Sequence, residues 1–127
     1  MYSRQLTVFA QHLLIMFFSL YLMDNIFDLN SDNFDEYIKK GNVIVDFAAS
    51  WCNPCVIMEP HLKEASKELR GRVKFGKVDV DSENELAMRF QVMSIPTTIF
   101  FKNGEQVNRH TGAMSKDLII EKSEASF

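Results

Sequence analysis

The sequence is poor in the residues that staple or punctuate small proteins. Its 127 residues hold two cysteines, three prolines, five glycines and one tryptophan. Two cysteines, three positions apart, exclude the disulfide framework of a small secreted scaffold, which needs more of them spread along the chain. Charge of one sign is lacking as well: 14 Lys and Arg against 17 Asp and Glu leave a net charge of -3. There is no basic stripe for nucleic acid and no acidic arm, so no nucleic-acid partner is expected. Internal repeats and low-complexity segments are absent. What is present is the balance of a globular protein, 46% hydrophobic and 24% charged. The length suits one domain, and eleven phenylalanines point to an aromatic core.

A long clean hydrophobic run is also missing. Residues 6–23 are apolar from Leu13 to Met23, about the length of a signal-peptide core, with Arg4 ahead of it and no Ala-x-Ala-like cleavage site behind it. Gln11 and His12 interrupt the stretch, which as a membrane span needs about 20 apolar residues. Three readings stand: an uncleaved anchor, a poor signal peptide, or an upstream extension of a chain that starts at Met23. Residues 1–22 are therefore set apart as a hydrophobic extension, and residues 23–127 carry the domain.

Along that domain, Ile26–Leu29 reads as a short strand. Ser31 offers an N-cap to a helix with Phe34, Tyr37 and Ile38 at helical spacing; Lys39 and Lys40 fall in its last turn, and Gly41 stops it. Val43–Ala49 is a continuous apolar run broken only by Asp46, as expected of a central strand buried on both faces. After Ser50-Trp51-Cys52-Asn53-Pro54-Cys55 a helix runs to about Leu69, with Pro54 in its first turn and Pro60 inside it. Val73–Val80 alternates as a strand, and Ser82 caps a short helix whose apolar face is Leu86, Ala87 and Phe90. Thr97–Phe101 is a strand, Asn103-Gly104 a hairpin turn, and Gln106–Thr111 the returning strand. Ser115 caps a last helix. The order β-α-β-α-β-α-β-β-α predicts an α/β fold, a mixed central sheet with helices on both faces.

Cys-x-x-Cys at the start of a helix has a chemical logic. A thiolate is the nucleophile in disulfide exchange, and the free N–H groups at a helix N-terminus stabilise its charge. Cys52 sits at the helix mouth. Cys55 lies one turn in, within the roughly 4.4–6.8 Å Cα separation of a disulfide. One thiolate attacks and the other thiol resolves the mixed disulfide; Cys52 and Cys55 fit those roles. The competing reading is half of a zinc or iron–sulfur site. Structural zinc takes four Cys or His ligands, and His12, His61 and His110 lack the spacing to supply the rest. No metal is expected, and no cofactor beyond a redox-active Cys52–Cys55 disulfide.

From about residue 24 to 122 the sequence resembles the thioredoxin family, in order and without a large gap. Val45–Cys55 is similar to that family's strand and active-site segment, Pro60 to its helix kink, and Lys77-Val78-Asp79-Val80-Asp81 to its third strand. Ser94-Ile95-Pro96-Thr97 resembles its cis-proline loop, Phe101–Glu105 its hairpin, and Thr111–Ala113 with Ser115-Lys116 its closing strand and last helix. The resemblance implies a thioredoxin fold and a protein-disulfide reductase. It implies that Asp46 is a buried proton acceptor and donor for Cys55, with Lys77 as its partner, and that the Ile95–Pro96 bond is cis. It further implies that the Ile95 backbone pairs with an extended substrate segment, on a docking surface of Trp51, Pro54, Ile95, Pro96 and Gly112.

Three positions depart from the family pattern. Asn53 replaces the usual glycine between the cysteines, Ala48 stands where many relatives have an aromatic residue, and Val56 stands where a Lys or Arg commonly follows. One exposed cation is worth about 0.3–1 kcal/mol at a helix N-terminus, or about 6–20 mV, so Val56 tunes the couple without reversing it. The leading expectation is a monomeric cytoplasmic reductase of protein disulfides, recycled by a thioredoxin-reductase-like partner. The alternatives are an exported thiol–disulfide exchange protein tethered to a membrane through residues 6–23, and a binding scaffold of the same fold with idle thiols.

Overall fold

The computed structural model describes residues 8–17 and 25–127. Residues 8–17 form helix α1. Arg4, the apolar run beyond Phe17 and the alternative start at Met23 lie outside the described residues. Among the described residues no helix is long and apolar enough to cross a membrane.

The remaining elements follow the expected order: β1 (Ile26–Asp28), α2 (Phe34–Ile38), β2 (Asn42–Ala48), α3 (Asn53–Glu68), β3 (Lys74–Asp79), α4 (Asn84–Arg89), β4 (Thr97–Lys102), β5 (Glu105–Thr111) and α5 (Lys116–Ser126). The five strands form one sheet in the order β1-β3-β2-β4-β5. β3 runs parallel to both β1 and β2, while β4 is antiparallel to β2 and β5 to β4. The crossovers through α2 and α3 permit the parallel pairs, and a tight turn suffices for the hairpin. Asn103 and Gly104 both have positive φ, 50° and 86°, as the hairpin turn requires. The Asn103 carboxamide oxygen accepts the Gly41 N–H at 2.8 Å, tying this turn to the end of α2.

β2 is the central strand, and its side chains alternate between two cores. Val43, Val45 and Phe47 pack with Phe34 and Ile38 of α2, Leu86 of α4, and Ile99 and Phe101 of β4. Ile44 packs on the other face with Met58, Leu62 and Ala65 of α3, Phe75 and Phe100 of the sheet, and Ile119 of α5. Because the side-chain period of a strand is two, Asp46 falls on the α3 face, between Ile44 and Ala48. Lys77 of β3 and Thr98 of β4 are its register partners.

The differences from expectation are local. Ser31 does not cap α2; Asn33 takes the N-cap position, and the Asn30 side chain accepts the N–H groups of Asp32 and Asn33 in a preceding turn. Ser31 instead donates to Glu83 at 3.1 Å. Lys39 and Lys40 follow α2 and do not lie in its last turn. Ser82 does not cap α4, whose N-cap position is Glu83; its hydroxyl donates to the Asp79 carbonyl. The Asn30 turn takes the Asn33 N–H that a Ser31 cap would use, and such residue types suit a turn as well as a cap. Ser115 does cap α5, accepting the Leu118 N–H at 3.2 Å.

Phe34 is fully buried and its ring meets those of Phe47, Phe90 and Phe101 at centroid distances of 5.2–6.5 Å. Phe34→Ala is expected to cost about 3–5 kcal/mol, read as a lower urea midpoint at unchanged slope. A loss under about 1 kcal/mol would contradict the anchoring role of this ring.

Candidate functional site

The site forms where β2 ends and α3 begins. Cys52 takes the N-cap position of α3 with extended backbone, and its sulfur accepts the Cys55 N–H at 3.3 Å. Pro54 lies in the first turn, where its missing N–H costs nothing. α3 stays continuous across Pro60. Cys52 and Cys55 are joined in a disulfide with a Cα–Cα distance of 5.3 Å.

Exposure does not separate the two cysteines, since each is only 5% exposed; surroundings do. Cys52 lies between exposed Trp51 and Asn53, whereas Cys55 lines a cleft of about 470 Å³ that also holds Asp46, Glu59 and Lys77. The N-terminal N–H groups of α3 favour negative charge on the sulfur at the helix mouth. Cys52 thus stands at the helix mouth, and Cys55 faces the cleft that holds the Asp46 carboxyl.

Asp46 is 4% exposed on the central strand, which excludes a surface carboxylate on an edge. Burial pushes its pKa up to about 7; the Lys77 ammonium pulls the other way, and the Glu59 carboxylate adds to the rise. Among the described residues, Asp46 Oδ1 and Thr98 Oγ1 are the buried side-chain oxygens or nitrogens without a hydrogen-bond partner. The expected Asp46–Lys77 partnership takes a different form. Lys77 Nζ reaches Glu59 Oε1 at 3.7 Å, and its influence on Asp46 is through space.

The cis-proline loop stands opposite. The Ile95–Pro96 bond is cis, and the Ile95 carbonyl oxygen lies 3.8 Å from Cys52 Sγ. Ile95 packs against the Cys52–Cys55 cluster. Pro96 itself is buried, so it shapes the loop while half-buried Ile95 presents a surface. Gly112, at φ 106°, donates its N–H to the Pro96 carbonyl at 2.8 Å. Trp51 is 70% exposed, its indole N–H donating to Asp81 at 2.8 Å. Pro54 is exposed one residue before Cys55. Cys52, Ile95, Pro96 and Gly112 are thus linked by direct contacts, and Trp51 and Pro54 adjoin them along the chain.

Sequence reasoning missed Glu59, Asp81 and Thr98. Glu59 carried one signal: it lies four residues after Cys55, on the same helix face. Asp81 and Thr98 carried none, because an Asp after a strand and a Thr within one are ordinary. His61, weighed as a metal ligand, accepts the Lys116 backbone N–H through Nδ1 at 3.2 Å.

Folded Asp46 holds its proton up to about pH 7, against an ordinary carboxyl value of 3.8. Folding therefore takes up a proton between these values, and stability falls as pH rises through that window. At about 1.4 kcal/mol per pH unit, Asp46→Asn is expected to stabilise the oxidised protein at pH 8 by on the order of 4 kcal/mol. At pH 3.5 the two proteins should differ little. Urea denaturation at both pH values checks this; equal stabilities at pH 8 would contradict a buried carboxyl that holds its proton to near neutrality.

The chain matches the family model described as Thioredoxin over residues 25–125. It is 42% identical over 93 residues to the thioredoxin of Staphylococcus haemolyticus, a stretch covering 73% of this chain and 89% of that protein. With the thioredoxin of Chlamydia pneumoniae it shares 41% over 91 residues, 72% of this chain and 88% of the other. It is also 45% identical over 78 residues to the bifunctional thioredoxin reductase/thioredoxin of Mycobacterium leprae, covering 61% of this chain and 17% of that protein. A match over most of the chain, on a strand–CxxC–helix unit facing a cis-proline loop, makes this chain a member of the thioredoxin family.

Proposed function

We infer that the protein is a thiol–disulfide oxidoreductase that reduces protein disulfides through Cys52 and Cys55. The observation that carries this reading is the Cys52–Cys55 disulfide at the N-terminus of α3, across from the Ile95 carbonyl. In the first step the Cys52 thiolate attacks one sulfur of a substrate disulfide. A mixed disulfide forms and a substrate thiolate leaves. Cys55 then gives its proton to the Asp46 carboxylate and attacks Cys52 Sγ. The Cys52–Cys55 bond forms and the second substrate thiolate departs, so two electrons have passed to the substrate.

Asp46 as proton acceptor is supported by its place in the same cleft as Cys55. Its pKa of about 7 suits a group that must hold and release a proton near neutrality. Trp51, Pro54, Ile95, Pro96 and Gly112 form the docking surface for an extended substrate segment, the Ile95 backbone supplying hydrogen bonds in strand-addition fashion. The cycle calls on no bound cofactor; its electrons reside in the dithiol.

Regeneration requires an external reductant, and a thioredoxin-reductase-like partner fits best, since one relative joins the two activities in its name. A cytoplasmic location fits such a supply, since the cytosol keeps thiols reduced. A monomer suits a face that must admit many substrates.

Reduction of insulin disulfides tests the assignment of roles. Cys52→Ser is expected to bring the rate down to the uncatalysed background. Cys55→Ser should keep the first attack and accumulate a stable mixed disulfide, seen as an adduct by mass spectrometry. A scaffold with idle thiols would lose nothing in either variant.

A further inference from the structure

The cleft beside Cys55 is unusually charged for a space reaching a buried carboxyl. Asp28 of β1, Asp46 of β2, Lys77 and Asp79 of β3, and Glu59 and Lys63 of α3 line it. One oxygen of Glu59 holds two ammonium groups, Lys63 Nζ at 3.6 Å and Lys77 Nζ at 3.7 Å. All three side chains are between 36% and 45% exposed, so this cluster stands at the mouth and Asp46 lies inside. Lys77 is the register partner of Asp46 on the neighbouring strand and shares its face. Its flexible stem has two carboxylates to choose between, and it is found on the outer one. Cys55 and Glu59 are one turn apart on α3, so the resolving thiol, the inner carboxyl and the outer carboxylate share one space.

We propose that Glu59 is a positioning residue for the resolving step: it holds the Lys77 ammonium at the cleft mouth and so sets the pH at which Asp46 can accept the Cys55 proton. The inference rests on reading Asp46 as that acceptor. A carboxylate with a cation beside it ionises at lower pH, and one facing a second carboxylate at higher pH. Glu59 does both things at once, adding negative charge and keeping the ammonium from Asp46 Oδ1, which has no other partner. Beyond the larger rise from burial, the Lys77 ammonium lowers the Asp46 pKa and the Glu59 carboxylate raises it. Asp28 and Asp79 add negative charge from β1 and β3, Lys63 adds positive charge from α3, and Thr98 across on β4 is neutral. Of these, Lys63 is held by the same Glu59 oxygen and is released from it with Lys77 when Glu59 is changed.

The test uses the full chain and two readouts. The first is the titration of the Asp46 carboxyl carbon by NMR in the oxidised protein. The second is the pH profile of resolution of a Cys52–glutathione mixed disulfide, followed as glutathione release. Glu59→Gln is expected to lower the Asp46 midpoint by about 0.5–1 pH unit and to shift the acid limb of the rate profile by the same amount. Lys77→Met should move both the other way. An Asp46 midpoint unmoved in Glu59→Gln overturns the inference and leaves the role of Asp46 standing. A rate scaled equally at every pH, with no midpoint change, overturns it too and marks Glu59 as structural. A midpoint that moves while the acid limb stays put overturns the reading of Asp46 as acceptor, and the role of Glu59 with it.

Discussion

A carboxyl group buried on the middle strand of the sheet is the constraint around which the site is arranged. Asp46 sits where an apolar side chain would pack better, on the α3 face of β2 with neighbours paired on both sides. Burying an unpaired charge is expensive, so the group answers by holding its proton to near neutrality. The fold tolerates this because its two aromatic and aliphatic cores lie above and below the same sheet. They hold β2 in register whatever the charge of one side chain.

The rest of the chemistry comes from how β2 gives way to α3. The strand delivers Ala48 and Ala49 to the C-terminal end of the sheet's central strand, small residues that pack against the disulfide. The helix then starts at Cys52, so one sulfur meets the free N–H groups of its first turn and the other faces the cleft of Asp46. The loop ending in cis-Pro96 closes the opposite side and is held by the Gly112 N–H. Cys52 and Cys55 at the start of α3, Asp46 within β2 and Ile95 just before β4 are therefore held by the regular elements of the fold, where positioning is tightest.

Much of this was legible in the sequence because the signals were periodic or chemically singular. The apolar run of β2, the Asn103-Gly104 turn and the Cys-x-x-Cys spacing each state a local geometry, and element order followed from them. Less legible were features decided between elements. The competition of the Asn30 turn with the expected Ser31 cap depends on which oxygen reaches the Asn33 N–H first. Glu59 is an ordinary helix-surface acid until the sheet brings Lys77 within reach. Trp51 has an evident place beside Cys52, but its partner Asp81 lies 30 residues away, at the end of another strand. The cis bond at Pro96 was implied by family resemblance alone, since the dipeptide Ile-Pro gives no local sign of it.

The central claim, that Cys52 and Cys55 form a reducing dithiol, is tested most directly by equilibrating the full chain in graded glutathione buffers and reading the redox state of the pair. A reductase requires the couple to stay oxidised until the buffer is strongly reducing, with a potential more negative than the glutathione couple of a reducing cytosol, roughly −220 to −260 mV by extraction. A potential tens of millivolts above that range would contradict the account and make the pair a disulfide donor.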